Sequence, residues 1–213
     1  MLVIMHLPAG DTELVQIMDA SFADAANRAG EWLVCRPGCT QCCHGAFAIN
    51  ALDALRLRTG MNTLRNEQPL LAATIESRTH AWLDEHLDDF PGDPATGQLG
   101  NSAADRARFD EFANEAACPA LNPATGLCDV YAWRPMTCRV FGPPVRMGEG
   151  NALGCCELCF IGADEAVIAS CEMPVPHELE ERLLHELTGA SDDQQKNKAA
   201  DAHETVVAFA LLP

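Results

Sequence analysis

Four cysteines fall within nine residues, Cys35-Arg-Pro-Gly-Cys39-Thr-Gln-Cys42-Cys43, and six more lie further on, at Cys118, Cys128, Cys138, Cys155, Cys156 and Cys159. Of the eleven cysteines only Cys171 stands outside these two stretches. Thiolate is a soft ligand that suits zinc, copper(I), iron and iron–sulfur clusters and suits magnesium or calcium poorly. Cysteines two or three residues apart can wrap one metal with little extra ordering of the chain. Binding displaces their protons, so the metal contributes directly to folding. Cys39-x-x-Cys42 is the strongest chelating pair and Cys156-x-x-Cys159 the second. Cys171 sits alone in an apolar run and reads as a core thiol.

The doublets Cys42-Cys43 and Cys155-Cys156 add a geometric constraint. Neighbouring side chains point to opposite faces of a strand or well apart around a helix. Two adjacent thiols therefore rarely close on the same tetrahedral ion. Either one member of each doublet packs in the core, or the doublets serve two sites or a multinuclear cluster. Between Cys118 and Cys128, Pro123 presets a turn and Gly126 can adopt positive φ, so these two cysteines can approach each other. Arg36, Arg134, Arg139 and Arg146 all lie near cysteines in an otherwise acidic chain. Guanidinium donors stabilise a negatively charged thiolate site. Tyr131, Arg134 and Arg139 are accordingly expected beside the ligands rather than among them, and His44, next to Cys43, is expected at the surface or behind the ligands.

These residues carry a resemblance. Cys118-Pro119-x-Leu121, followed by Gly126-x-Cys128-x-Val130-Tyr131-x-x-Arg134-Pro135-x-x-Cys138-Arg139-x-Phe141, is similar to the signature of the YkgJ-like cysteine-cluster family, and Cys39-x-x-Cys42-Cys43 extends it upstream. The resemblance covers about residues 35–160, and it implies chelation of zinc or iron, or an iron–sulfur cluster. The family's pattern is C-x-x-C-x-x-C-C, whereas Cys35 here precedes Cys39 by one residue more. A similar cysteine pattern is associated with flagellin lysine N-methylase, which implies a protein-modifying enzyme or enzyme subunit as the alternative to a plain metal-binding protein. A structural zinc-binding interaction module is a further alternative. Cys35-x3-Cys39-x2-Cys42 also has the spacing of radical-SAM enzymes, but a helical pattern rather than a strand precedes it. A chain of 213 residues without βα alternation also cannot build a large barrel.

The rest of the chain must position these thiols. Its formal net charge is −17 with a pI near 4.6, and Lys196 and Lys198 are its only lysines. Such a chain repels phosphate backbones and anionic lipid, so no nucleic-acid or membrane partner is expected. No apolar run reaches the ~18 residues of a membrane span, and Met1–Pro8 lacks the basic flank of a signal peptide. Clustered cysteine in such a chain fits a cytoplasmic, reducing setting. No Ser–His–Asp set or P-loop is present, and Gly148-x-Gly150-x-x-x-Gly154 has no strand–helix unit around it.

Leu14, Val15, Met18, Phe22, Ala25, Ala26, Ala29, Trp32 and Leu33 predict one amphipathic helix over 12–34, capped by Asp11. Gly45–Ile49 reads as a short extended piece. Asn50 then caps a short helix that Gly60 ends. Pro69 opens a longer helix to about Asp89, bearing His80 and His86, with solvated acids at its far end. Pro91–Ser102 reads as a loop or linker, Ala103–Ala116 as a helix with Phe109 and Phe112 inward, and Ala166–Ala169 as a strand. His177–Leu187 reads as a helix, Gly189–Ala202 as a loose polar stretch, and Val206–Leu212 as an apolar end that docks back.

The expected fold is mainly α, with several helices around an irregular cysteine-rich metal-binding centre and a few short strands, in a single domain over 1–213. Metal-binding segments occupy about 35–50 and 117–160, a helical insertion about 51–116, and an extension about 161–213. Ligands are expected among Cys35, Cys39, Cys42, Cys43, Cys118, Cys128, Cys138, Cys155, Cys156 and Cys159, with the two stretches forming two halves of one site. The cofactor is expected to be an iron–sulfur cluster or iron, with zinc as the alternative.

Overall fold

In a computed structural model of the chain, residues 6–147, 152–189 and 204–213 are described. The readings made above on Met1–Pro8, on Gly148 and Gly150, and on 189–202 fall wholly or largely outside them. The described chain is mainly helical, as expected, with a few two- and three-residue strands. It divides into two compact units, 8–37 with 136–183 in one and 38–135 with 184–213 in the other.

The larger unit is built on α2 (Ala51–Glu67) and α3 (Pro69–His86), packed on each other and on the C-terminal helix α8 (Val207–Leu211). Leu57, Met61, Ile75, Ala210 and Leu211 are fully buried in their common core. The apolar chain end therefore docks back as its composition predicts. Strand β1 (Ala48–Ile49) pairs antiparallel with a strand at 205–206. Asn50 caps α2 through its side chain, which accepts from the Asp53 N–H at 3.0 Å.

Gly60, however, does not end this helix. A Cβ there would lie 2.4 Å from the Trp133 ring, so the glycine is a seat for an aromatic side chain and α2 runs on to Glu67. The acids in the last turn of α3 and just past it, Asp84, Glu85, Asp88 and Asp89, are solvated, as expected. Residues 91–102 are no linker. They form a hairpin of β2 (Gly92–Asp93) and β3 (Gln98–Leu99), held by Thr205, whose hydroxyl donates to the Gly97 carbonyl at 2.6 Å.

Helix α4 (Ala103–Phe109) stops well short of Ala116. The backbone at 116–118 is engaged elsewhere, in ladder-like bonds to 43–45, and cannot also be helical. Ala113 turns the chain at a φ of 50°, and Phe112 is buried against Phe90, Val206 and Ala208.

In the smaller unit, α1 (Asp11–Ala29) buries Leu14, Met18, Ala25 and Ala29. Asp11 is its first residue rather than its cap, following Gly10. The helix stops before residue 34 because Gly30 takes a φ of 53°, and one 3₁₀ turn follows. Helix α5 (Met136–Val140) packs on α1, where buried Arg139 meets Asp19 at 2.6 Å. A second hairpin joins β4 (Val145–Met147) and β5 (Ala152–Gly154).

Residues 165–170 form helix α6 (Glu165–Ser170) and not a strand. The Asp164 carboxylate accepts from the Val167 N–H at 2.8 Å and caps the first turn, and among the described residues no strand pairs with 166–169. Helix α7 (His177–Thr188) follows Pro174 and Pro176 as expected. No described helix is long and apolar enough to cross a membrane.

Candidate metal centre

The chain passes between the two units at 37/38 and again at 135/136, so both cysteine stretches are divided. Cys39, Cys42, Cys43, Cys118 and Cys128 belong to the larger unit. Cys35, Cys138, Cys155, Cys156, Cys159 and Cys171 belong to the smaller. None of the eleven is in a disulfide.

In the larger unit the first stretch is clasped to the start of the second by backbone. The Cys118 N–H donates to the Cys43 carbonyl at 2.7 Å, the Gly45 N–H donates to the Ala116 carbonyl at 2.9 Å, and His44 and Ala117 form an antiparallel bridge. Cys42 and Cys43 lie in a 3₁₀ turn, Gln41–Cys43, closed by the Cys43 N–H on the Thr40 carbonyl at 2.8 Å. The loop between Cys118 and Cys128 folds as the turn residues predict. Gly126 takes a φ of 69°, Leu121 bridges Cys128, and the glycine passes so close to Gly38 that an added Cβ would lie 3.4 Å from it.

Arg78 on α3 holds this loop. Its Nε donates to the Pro119 carbonyl at 2.8 Å and its Nη2 to the Asp129 carboxylate at 2.6 Å. Sequence reasoning passed over Arg78, although a signal existed: it lies three residues after Ile75 and four before Trp82, a cation on the apolar stripe of the helix. The 3₁₀ turn Tyr131–Trp133 follows Cys128 directly, and Trp133 is the ring seated on Gly60. Arg134 stacks over Tyr131 at 3.9 Å. Tyr131 is exposed, as is His44.

The thiols here are electrostatically unequal. Cys42 is lowered to about 6, first by the hydrogen bond that Cys43 donates to it and in smaller part by the Arg134 guanidinium. Cys43 is correspondingly raised, by giving that hydrogen bond, by burial and by the negative charge of Cys42, Cys118 and Cys128. Burial pushes Cys118 up to about 12 and also raises Cys128. One thiolate is thus surrounded by thiols that keep their protons until something replaces them.

In the smaller unit Cys35 Sγ lies 3.9 Å from Cys159 Sγ. Cys159 is buried with Phe160 and Cys171 in an apolar cluster that Cys35 and Cys156 flank. Cys155 is exposed, and its thiol is raised by what burial it has and by the charge of Cys159. Cys138 is half-buried on α5. Cys171 is 2% exposed, a core thiol as expected. Arg139, expected beside the ligands, is paired with Asp19, and Arg146 with Glu172 at 2.6 Å.

The donors fit a soft metal in kind and number. Among the described residues no three Cys, His, Asp or Glu side chains converge on a point from which all could hold one ion. Ligation of one ion by three of them therefore requires the thiols to move from these positions. A χ1 change of one staggered well moves a sulfur by roughly 3 Å.

A family described as "CxxCxxCC: Putative zinc- or iron-chelating domain" matches residues 34–156, more than half of the chain. The chain belongs to the CxxCxxCC family. Its match begins just before Cys35 and ends at Cys156, so every cysteine of the larger unit falls within it. No curated protein and no solved structure matches the chain. The family description supports metal chelation and leaves the choice between zinc and iron to the chemistry of the site.

Proposed function

We propose that this protein is a metal-binding protein whose larger unit holds iron, as an iron–sulfur cluster, through thiolates drawn from Cys39, Cys42, Cys43, Cys118 and Cys128. The observation that carries the reading is the backbone clasp. Cys43 and Cys118, 75 positions apart in sequence, are joined by one 2.7 Å hydrogen bond, and Cys42 and Cys128 lie near enough to shift Cys43 by their charge. Five thiols exceed the four that one zinc ion takes, and an adjacent pair suits a polynuclear centre better than a single ion. Arg134 supplies positive charge beside a thiolate cluster, a recognised means of setting its potential.

The bound cluster would supply one-electron chemistry. The chain's residues hold it: Arg78 and Asp129 fix the 118–128 loop, Trp133 on Gly60 anchors the segment after Cys128, and Cys43 keeps its own proton and shares it in a hydrogen bond that holds Cys42 as a thiolate until ligation. The role is that of a metal-holding or electron-carrying protein. A depression of about 320 Å³ lies at the β2–β3 hairpin and Asp105, and none of its lining residues is a cysteine.

Anaerobic purification with iron, zinc and acid-labile sulfide analysis and a visible spectrum tests the reading. Iron with matching sulfide and a coloured protein is the expected result. A colourless protein with stoichiometric zinc overturns the choice of iron, and a protein without metal overturns the centre itself.

A further inference from the structure

We propose that the smaller unit carries a metal centre of its own, a single tetrahedral ion held by the thiolates of Cys35, Cys156 and Cys159. The inference rests on the family's metal-binding character but not on the iron–sulfur reading of the larger unit. It also depends on Cys159, which lies beyond the matched segment.

The spacing of the sulfurs is the first ground. Thiolates 2.3 Å from a tetrahedral ion stand about 3.8 Å from one another, whereas a disulfide needs about 2.05 Å. Cys35 Sγ and Cys159 Sγ are 3.9 Å apart, the edge length of a metal–thiolate tetrahedron. Cys156, the third ligand, packs against the same cluster as Cys159 and Cys35. The Cys159 N–H donates to the Cys156 carbonyl at 2.8 Å, closing the Cys-x-x-Cys segment into the tight turn that lets two such cysteines face one ion.

The surrounding backbone is shaped to the sulfurs. Gly142 adopts a φ of 120°, and a Cβ there would sit 2.8 Å from Cys35 Sγ, so the absent side chain leaves the space that the sulfur uses. The Gly142 carbonyl also accepts from the Cys156 N–H at 3.3 Å. Phe160, next to Cys159, is held at a φ of 57°, a left-handed conformation that disfavours any residue with a Cβ. Its N–H is bonded to the Trp32 carbonyl at 2.9 Å and its ring is buried. Strain of this kind persists where surrounding structure enforces a particular geometry, and such positions cluster at functional sites. Three segments, 33–35, 142 and 156–160, thus converge on one pair of sulfurs. The fourth position falls to Cys138 or Cys155, since Cys171 is sealed in the core.

The test uses the full chain and counts metal and sulfide in parallel variants. Cys35→Ser and Cys159→Ser should each lose about one equivalent of zinc or iron per chain while leaving labile sulfide and the visible spectrum unchanged. Cys42→Ser and Cys118→Ser should do the reverse, losing cluster iron and sulfide and keeping the single ion. Cys171→Ala should keep both. Reconstitution of metal-free wild type with Co²⁺ gives a second readout, and the sulfur-to-cobalt charge-transfer absorption should fall by the smaller unit's share in Cys159→Ser. Unchanged metal and cobalt absorption in both Cys35→Ser and Cys159→Ser overturns the inference without touching the iron–sulfur reading. Loss of sulfide in those two variants overturns it as well, because the thiols would then serve the cluster. A wild-type mass two daltons low with Cys35 linked to Cys159, in protein purified anaerobically, likewise overturns it in favour of a disulfide.

Discussion

Replacing Arg78 by Met should loosen the 118–128 loop and weaken metal retention, although residue 78 carries no ligand. The guanidinium makes two charge-assisted hydrogen bonds, one to the Pro119 carbonyl at 2.8 Å and one to the Asp129 carboxylate at 2.6 Å. Bonds of this kind contribute ~1.5–3 kcal/mol each. Both partners keep some solvent contact, with Arg78 22% and Asp129 12% exposed, which reduces the Coulombic part. Removing the arginine also leaves the Asp129 charge uncompensated in a mostly buried setting, while the Met retains most of the apolar stem. The net cost is ~2–3 kcal/mol. If opening of this loop limits metal release, 1.4 kcal/mol is a factor of ten, so release to an excess of chelator should accelerate ~30- to 150-fold. Stopped-flow chelator competition measures that rate, and thermal unfolding of the metal-free protein measures the structural part. Arg78→Lys should recover only a fraction, because an ammonium cannot reproduce the two-pronged contact. Asp129→Asn combined with Arg78→Met should cost less than the sum of the two single changes. Arg78→Met protein with unchanged release and unchanged melting would refute the assignment of this arginine as the clamp on the loop.

Gly60→Ala sets helix propensity against packing. Alanine should favour α2 by ~1 kcal/mol, but the new methyl would lie 2.4 Å from the Trp133 ring. Displacing a packed aromatic costs ~1–3 kcal/mol, so net destabilisation is expected, and a raised melting temperature would show that Trp133 is not seated there. Metal affinity should rise steeply with pH through the neutral range. Cys43, Cys118 and Cys128 are raised and must give up protons to ligate. Cys42, lowered to about 6, is already a thiolate above that value and adds its own proton only below it. A plot of log affinity against pH should thus climb by about two to three per unit between pH 7 and 9, and by about one more below pH 6. Competition titrations at fixed ionic strength would expose a flat profile, which contradicts ligation by these thiols.

How legible the protein was varies with how local each signal is. Asn50, Pro69 and the proline pair before His177 announced helix starts, because a cap or a ring constraint acts within one turn. Local signals failed where a distant group competed for the same backbone or space. Gly60 looked like a stop until Trp133 occupied it. Residues 110–116 looked helical until 43–45 claimed the backbone that follows, and 166–169 looked like a strand until the Asp164 carboxylate capped a helix there. Arg139 and Arg146 looked like companions of the thiols, yet Asp19 and Glu172 engage them.

By itself the sequence determined the kind of chemistry. Grouped thiols, doublets and the long Cys118-to-Phe141 motif specify soft-metal ligation through residue type and short spacing, and the acidity of the chain opposes polyanionic partners. It also determined the mainly helical fold, since apolar residues at three- and four-residue steps are a local property. Only the tertiary structure decided which thiols are neighbours. Cys42 and Cys43 meet Cys118 and Cys128 in one unit, while Cys35, four residues before Cys39, sits with Cys159 in the other. The reason is that neighbourhood across a long stretch of chain is set by where backbone hydrogen bonds and buried side chains are satisfied. Those depend on Arg78, Gly142 and Trp133, whose roles have no signature in the spacing of the cysteines.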